Sequence, residues 1–84
     1  MSFMTAKNKI LTSLKDNGGL TTSRLAGLNG LNYAFTLDIL NKLKKEKFVT
    51  NVKSESMTIW EITKDGLIFL KQNNFKKLKG GKND

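Results

Sequence analysis

Four lysines, at positions 42, 44, 45 and 47, crowd into six residues, with Glu46 the single acid among them. Lysines at this density neutralise phosphates, and each neutralised phosphate releases condensed counterions into solution. Asn41 directly precedes the cluster, and a side-chain amide can bond adenine bidentately, discriminating by about 1–3 kcal/mol. The chemistry on offer is recognition of a polyanion, with lysines for affinity and an amide for sequence. The competing reading is a solvated helix face, the usual fate of a lysine run.

The whole chain supports the first reading. Its 84 residues hold 15 Lys+Arg against 7 Asp+Glu, a net charge of +8. A second cluster, Lys71, Lys76, Lys77, Lys79 and Lys82, meets no acid until Asp84. Other chemistries are poorly provided for. Cysteine and histidine are absent, which removes disulfides, thiolate nucleophiles, the usual zinc ligand sets and the commonest general base. The carboxylates are scattered rather than paired. Gly18-Gly19 and Gly80-Gly81 lack the spacing and context of a phosphate loop. No enzymatic activity, metal or cofactor is expected. Apolar runs fall short of the roughly 18 residues that a membrane span needs, and the first residues lack the pattern of a secretory signal. The expectation is a cytoplasmic, nucleoid-associated protein.

The elements that position these residues follow from hydrophobic period. Phe3, Met4, Ile10, Leu11 and Leu14 share one arc, predicting a helix over about residues 3–16 that ends at Asn17-Gly18-Gly19. Thr21, Thr22 or Ser23 can cap a second helix, with Leu25, Ala26 and Leu28 as its buried side and Asn29-Gly30 as its stop. Leu31 enters the core, and Asn32 caps a third helix from Tyr33 to about Lys47. Residues 48–53 and 57–62 are rich in β-branched and aromatic side chains, forming an antiparallel hairpin joined by Ser54-Glu55-Ser56. Thr63 caps a final helix on which Leu67, Ile68, Leu70, Phe75 and Leu78 share an arc. The expected architecture is α+β, in the order helix-helix-helix-strand-strand-helix, a winged helix-turn-helix. One domain spans residues 1–78, and 79–84 form a flexible basic tail.

Residues 20–49, LTTSRLAGLNGLNYAFTLDILNKLKKEKFV, resemble the winged helix-turn-helix core of prokaryotic transcription regulators. Leu25-Ala26 lines up with the usual Leu-Ala of the second helix, and Gly30-Leu31-Asn32 with the Gly-Leu-Ser before the recognition helix. Lys47 departs from the pattern, standing where that family normally has glycine. IWEITKDGLIFLK, residues 59–71, is similar to the Ile-Thr-x-x-Gly strand-to-helix ending of archaeal winged-helix proteins. The Asn-Tyr opening of the third helix is similar to small archaeal members that dimerise through a C-terminal helix. The resemblance implies a homodimer that binds double-stranded DNA. Its interface would use Leu70, Phe75 and Leu78 of the last helix, assisted by Phe3.

On a helical wheel, Ala34, Phe35, Asp38, Asn41, Lys42 and Lys45 face away from Tyr33, Thr36, Leu37, Leu40 and Leu43. Tyr33 is expected half-buried, its ring on the core and its hydroxyl free to meet a phosphate. Phe35 either packs sideways with Ile39 against the second helix, or touches a thymine methyl or a partner protein. Asp38 either pairs with Lys42 one turn on or accepts a bond from a cytosine amino group. Thr22 and Ser23 would meet a phosphate at the start of the second helix. Asn32 and Ala34 complete the DNA-facing set on the third helix, with Lys53, Ser54 and Ser56 brushing the backbone from the wing. A winged-helix protein-interaction module, docking through Phe35, Leu37 and Asp38, is the main alternative, and an RNA-binding domain a weaker one.

Overall fold

The structure is a computed structural model that describes residues 5–80, and the side chains of residues 5–72. Six elements follow in the expected order: α1 (Ala6–Asn17), α2 (Thr22–Asn29), α3 (Tyr33–Lys45), β1 (Val49–Ser54), β2 (Met57–Ile62) and α4 (Lys64–Gly80). Phe3, placed by the sequence reading in the first helix, lies outside the described residues, as do the side chains of Phe75 and Leu78. The last helix runs to Gly80, so it enters the segment expected to be tail.

Caps set most of the boundaries. The Thr5 hydroxyl accepts from the Asn8 amide at 3.2 Å, so α1 starts at Ala6 rather than residue 3. Thr21 caps α2 in the same way through the Arg24 amide. Gly30, at φ 64°, closes α2 in the left-handed conformation that glycine adopts without strain. Asn32 caps α3, its Oδ1 accepting from the Phe35 amide at 2.7 Å. Thr63 caps α4 through the Gly66 amide, while its own hydroxyl donates to the Lys47 carbonyl at 2.7 Å.

The third helix ends two residues earlier than expected, at Lys45. Lys47 takes φ 69° there, and the Lys47 and Phe48 amides donate to the Lys44 and Leu43 carbonyls. This is the glycine-type helix ending, made by a residue with a Cβ at a cost of about 1–2 kcal/mol. The hairpin turn is also tighter than expected. Ser54 pairs with Met57 as the last residue of β1, leaving only Glu55 and Ser56 as the loop. On the far side of β2, Leu20 exchanges both backbone hydrogen bonds with Trp60, at 3.0 and 2.7 Å. The chain entering α2 is thereby tied to the hairpin.

Ile10, Leu11 and Leu14 of α1, Leu25 of α2, Leu40 and Leu43 of α3, Val49, Trp60 and Leu70 form the core. Two stripes differ from the sequence reading. On α2, Leu28 is 52% exposed, and the buried side runs through Thr22, Leu25 and Ala26 to half-buried Asn29. Asn29 belongs there because its Nδ2 donates to Ser13 Oγ on α1 at 3.1 Å and to the Leu25 carbonyl at 2.9 Å. On α4, Leu67 and Ile68 are exposed, whereas Gly66 and Leu70 are buried and Phe69 packs against the core. The Phe69 ring stacks on Phe48 with centroids 4.6 Å apart. Lys7 closes this corner, its Nζ 4.9 Å from the Phe69 centroid and 3.1 Å from Glu46 Oε1.

Candidate nucleic-acid interface

The buried face of α3 is fixed by Thr36, Leu40 and Leu43, which leaves the opposite face to solvent. Ala34, Phe35, Asp38, Asn41, Lys42 and Lys45 are all exposed there, as the helical period requires. Lys42 Nζ lies 3.3 Å from Asp38 Oδ2, the one-turn pair expected between them. Both groups are largely solvated, so the pair contributes only about 0.3–0.5 kcal/mol and either member is free to exchange partners. Lys45 extends the positive end of the face.

The start of α3 is more open than expected. Tyr33 is 54% exposed and Phe35 46% exposed, and neither ring belongs to the core or to the side chains packed against it. Leu25 and Ala26 of α2 and Thr36 of α3 are buried, and the two rings stay outside that close packing. Tyr33 instead lines an open groove of about 400 Å³ with Thr21, Thr22, Ser23, Ser56, Met57 and Thr58. The groove joins the start of α2, the start of α3 and the wing, and all its lining residues but Met57 carry a hydroxyl. Lys53 stands opposite Thr58 in the hairpin register, and Ser54 opposite Met57, both exposed. The contribution of Met57 and Thr58 was not legible in the sequence, since it arises only when the two-residue turn folds β2 back toward α2.

Thr22 has a different role from the one its position suggested. It is only 6% exposed, and its hydroxyl accepts from the Trp60 indole N–H at 2.8 Å. Neither a cap nor a free phosphate contact, it anchors the wing to the first turn of α2. Ser23 is exposed beside it at this helix start. Thr22→Val keeps the shape and leaves a buried N–H without a partner, so a loss of about 1–3 kcal/mol is expected in urea unfolding followed by fluorescence of the sole tryptophan. Thr22→Ser, which retains the oxygen, is expected to recover most of it. A valine variant as stable as the parent would remove this anchor.

Of the residues expected at a dimer interface, Leu70 is 2% exposed and fills the domain's own core. Among the described residues of α4, the large apolar side chains presented to solvent are Leu67 and Ile68. Leu67 borders an open depression of about 360 Å³ with Lys15, Leu70 and Lys71. Among the described residues no cluster of acidic side chains could hold a metal ion, and no helix is long and apolar enough to cross a membrane.

No family model matches the sequence, and no curated protein does. Solved structures do match its fold. A MarR family protein from Bacillus stearothermophilus superposes with a TM-score of 0.80 at 18% identity, over 93% of this chain and 56% of that one. Wild-type MarR from E. coli, in its apo form, gives 0.77 at 16% identity, over 84% and 55% of the two chains. BpsR of Bordetella bronchiseptica, whose DNA binding is regulated by 6-hydroxynicotinic acid, gives 0.76 at 17% identity, over 84% and 52%. The chain spans about half the length of these structures. At such identities the likeness speaks for architecture, and with the element order, the capped turn between α2 and α3 and the two-stranded wing it establishes the fold: a winged helix-turn-helix.

Proposed function

We propose that this chain binds double-stranded DNA as a homodimeric transcription regulator or small architectural DNA-binding protein, without enzymatic activity, among the nucleoid-associated proteins of the cytoplasm. The observation that carries the reading is the outward face of α3. It bears Asn41, Lys42 and Lys45 in the open on the element that winged helix-turn-helix proteins insert into the major groove. Lys42 and Lys45 contact phosphates and supply affinity, Asn41 reads an adenine edge, and Ser23, Asn32 and Tyr33 approach the backbone beside the groove. Lys53 and Ser54 add a light contact from the wing. The MarR-like neighbours support the same assignment, BpsR being a protein whose DNA binding is regulated. Two copies, joined through the exposed Leu67 and Ile68 of α4, would place two α3 helices about 34 Å apart on one side of a duplex.

The test is fluorescence anisotropy of a labelled random duplex, titrated with the protein from low to moderate salt. A steep fall of log affinity with log salt is the expected outcome. A folded protein that fails to bind even at low salt would overturn the reading. Asp38 offers a sharper check, being the acid set among the lysines. Asp38→Asn removes a charge that phosphates repel and frees Lys42, so affinity is expected to rise about threefold to tenfold at low salt. Unchanged binding would place Asp38 away from the phosphates, and weaker binding would show that the carboxylate itself makes a contact.

The half-exposed ring of Phe35 beside Asp38 favours one other reading, a protein-docking surface. That reading calls for a complex that barely responds to salt.

A further inference from the structure

The first turns of α3 are unlike its lysine-bearing end. Tyr33, Ala34 and Phe35 are exposed and uncharged, and the next outward residue is the acid Asp38. None of these side chains can neutralise a phosphate. Phe35 is also held firmly. Its amide donates to the Asn32 cap at 2.7 Å, and the next residue, Thr36, is fully buried with its hydroxyl bonded to the Asn32 carbonyl at 2.8 Å. The ring is therefore presented on a fixed backbone.

The placement of the ring along the helix gives it an address. Phe35 is the third residue of α3, and helix-turn-helix proteins meet base edges with the N-terminal residues of this helix. Lys42 lies seven residues on, two turns or about 10 Å along the same side. With Lys42 on the backbone, Phe35 reaches the groove. The one apolar group of any size that base edges present there is the 5-methyl of thymine. We infer that Phe35 is a specificity-determining residue that packs its ring on a thymine methyl, so that the protein prefers sites carrying thymine at the position α3 enters. This rests on the DNA-binding reading above and adds the chemistry of the base that is read.

The experiment removes the methyl and nothing else. Duplexes enriched by the protein from a random pool are re-amplified with deoxyuridine in place of thymidine, and both forms are titrated at one salt concentration. The deoxyuridine form is expected to bind about fourfold more weakly for each methyl contacted. Phe35→Ala should weaken binding to the thymidine form and abolish the difference between the two, and its exposed position leaves the fold intact. Equal affinity of the parent protein for both forms would overturn the inference while leaving DNA binding in place. So would an alanine variant that still discriminates fully, because the methyl would then be sensed elsewhere. Failure of the parent to bind either form would remove the DNA-binding reading together with this one.

Discussion

Replacing Lys42 and Lys45 together with glutamate is expected to lower affinity for any duplex by roughly 60-fold or more at about 0.1 M salt, because two phosphate contacts carry about 1.8 units of the log–log salt slope. The slope should flatten by about that amount, which separates lost phosphate contacts from a lost base contact. Both side chains are exposed, and the Asp38 pair that Lys42 gives up contributes only a few tenths of a kcal/mol (about 0.3–0.5). The like-charge pair the exchange makes with Asp38, and two acids in the last turn of α3, should cost about 1–2 kcal/mol in unfolding, and with the fold retained the loss of affinity can be assigned to binding. A matched control carries Lys9→Glu and Lys64→Glu, both exposed, on α1 and at the start of α4. Each exchange removes two units of charge, so both double variants fall from the net +8 to +4. If affinity follows net charge alone, the two lose equally. If α3 meets the duplex, the loss concentrates in the first. Equal behaviour, or a first variant that binds like the parent, would take this face out of the interface.

How far the site was legible follows from the range of the interactions that make it. The outward face of α3 was readable because a cap, a period and an i,i+4 pair are local: Asn32, Leu40, Leu43 and the Asp38–Lys42 contact all lie within one helix. Thr22 was not, since its partner Trp60 is 38 residues away and nothing nearby distinguishes a hydroxyl that caps from one that accepts an indole N–H. The same holds for the buried stripes. Leu28 and Asn29 are adjacent, and hydrophobicity selects the first, yet the amide turns inward because Ser13 waits for it on α1. On α4, Leu67 and Ile68 look as buriable as Phe69, and the choice is made by Phe48, which offers Phe69 a ring to stack on. Lys47 shows the converse. Its left-handed backbone is imposed by the hydrogen bonds that close α3, and the residue at that position does not announce it.

The expected effect on the fold is largest at Gly66, where the sequence resemblance has a physical cause. Gly66 sits in the first turn of α4 with an ordinary helical backbone, so conformational freedom does not explain it. Space does. A Cβ added there would overlap the Phe48 carbonyl oxygen and lie 2.7 Å from Ile62 Cγ1. The Phe48 carbonyl cannot withdraw, because it accepts from the Thr63 amide at 3.0 Å and so fixes the start of α4 against the end of α3. Alanine improves helix propensity by about 1 kcal/mol, but overpacking against backbone costs about 3 kcal/mol or more. The clash therefore wins, and Gly66→Ala is expected to lose about 2 kcal/mol or more in urea unfolding. Gly27→Ala is the counterpart. Gly27 lies within α2, exposed, and an added Cβ would meet nothing within 4 Å. There the propensity gain stands alone, and a rise of about 0.5–1 kcal/mol is expected. One chemical change should thus act with opposite signs at two helical glycines. A Gly66 variant as stable as the parent would mean that α4 can step back from Phe48, and that Gly66 does not set the seat of the last helix.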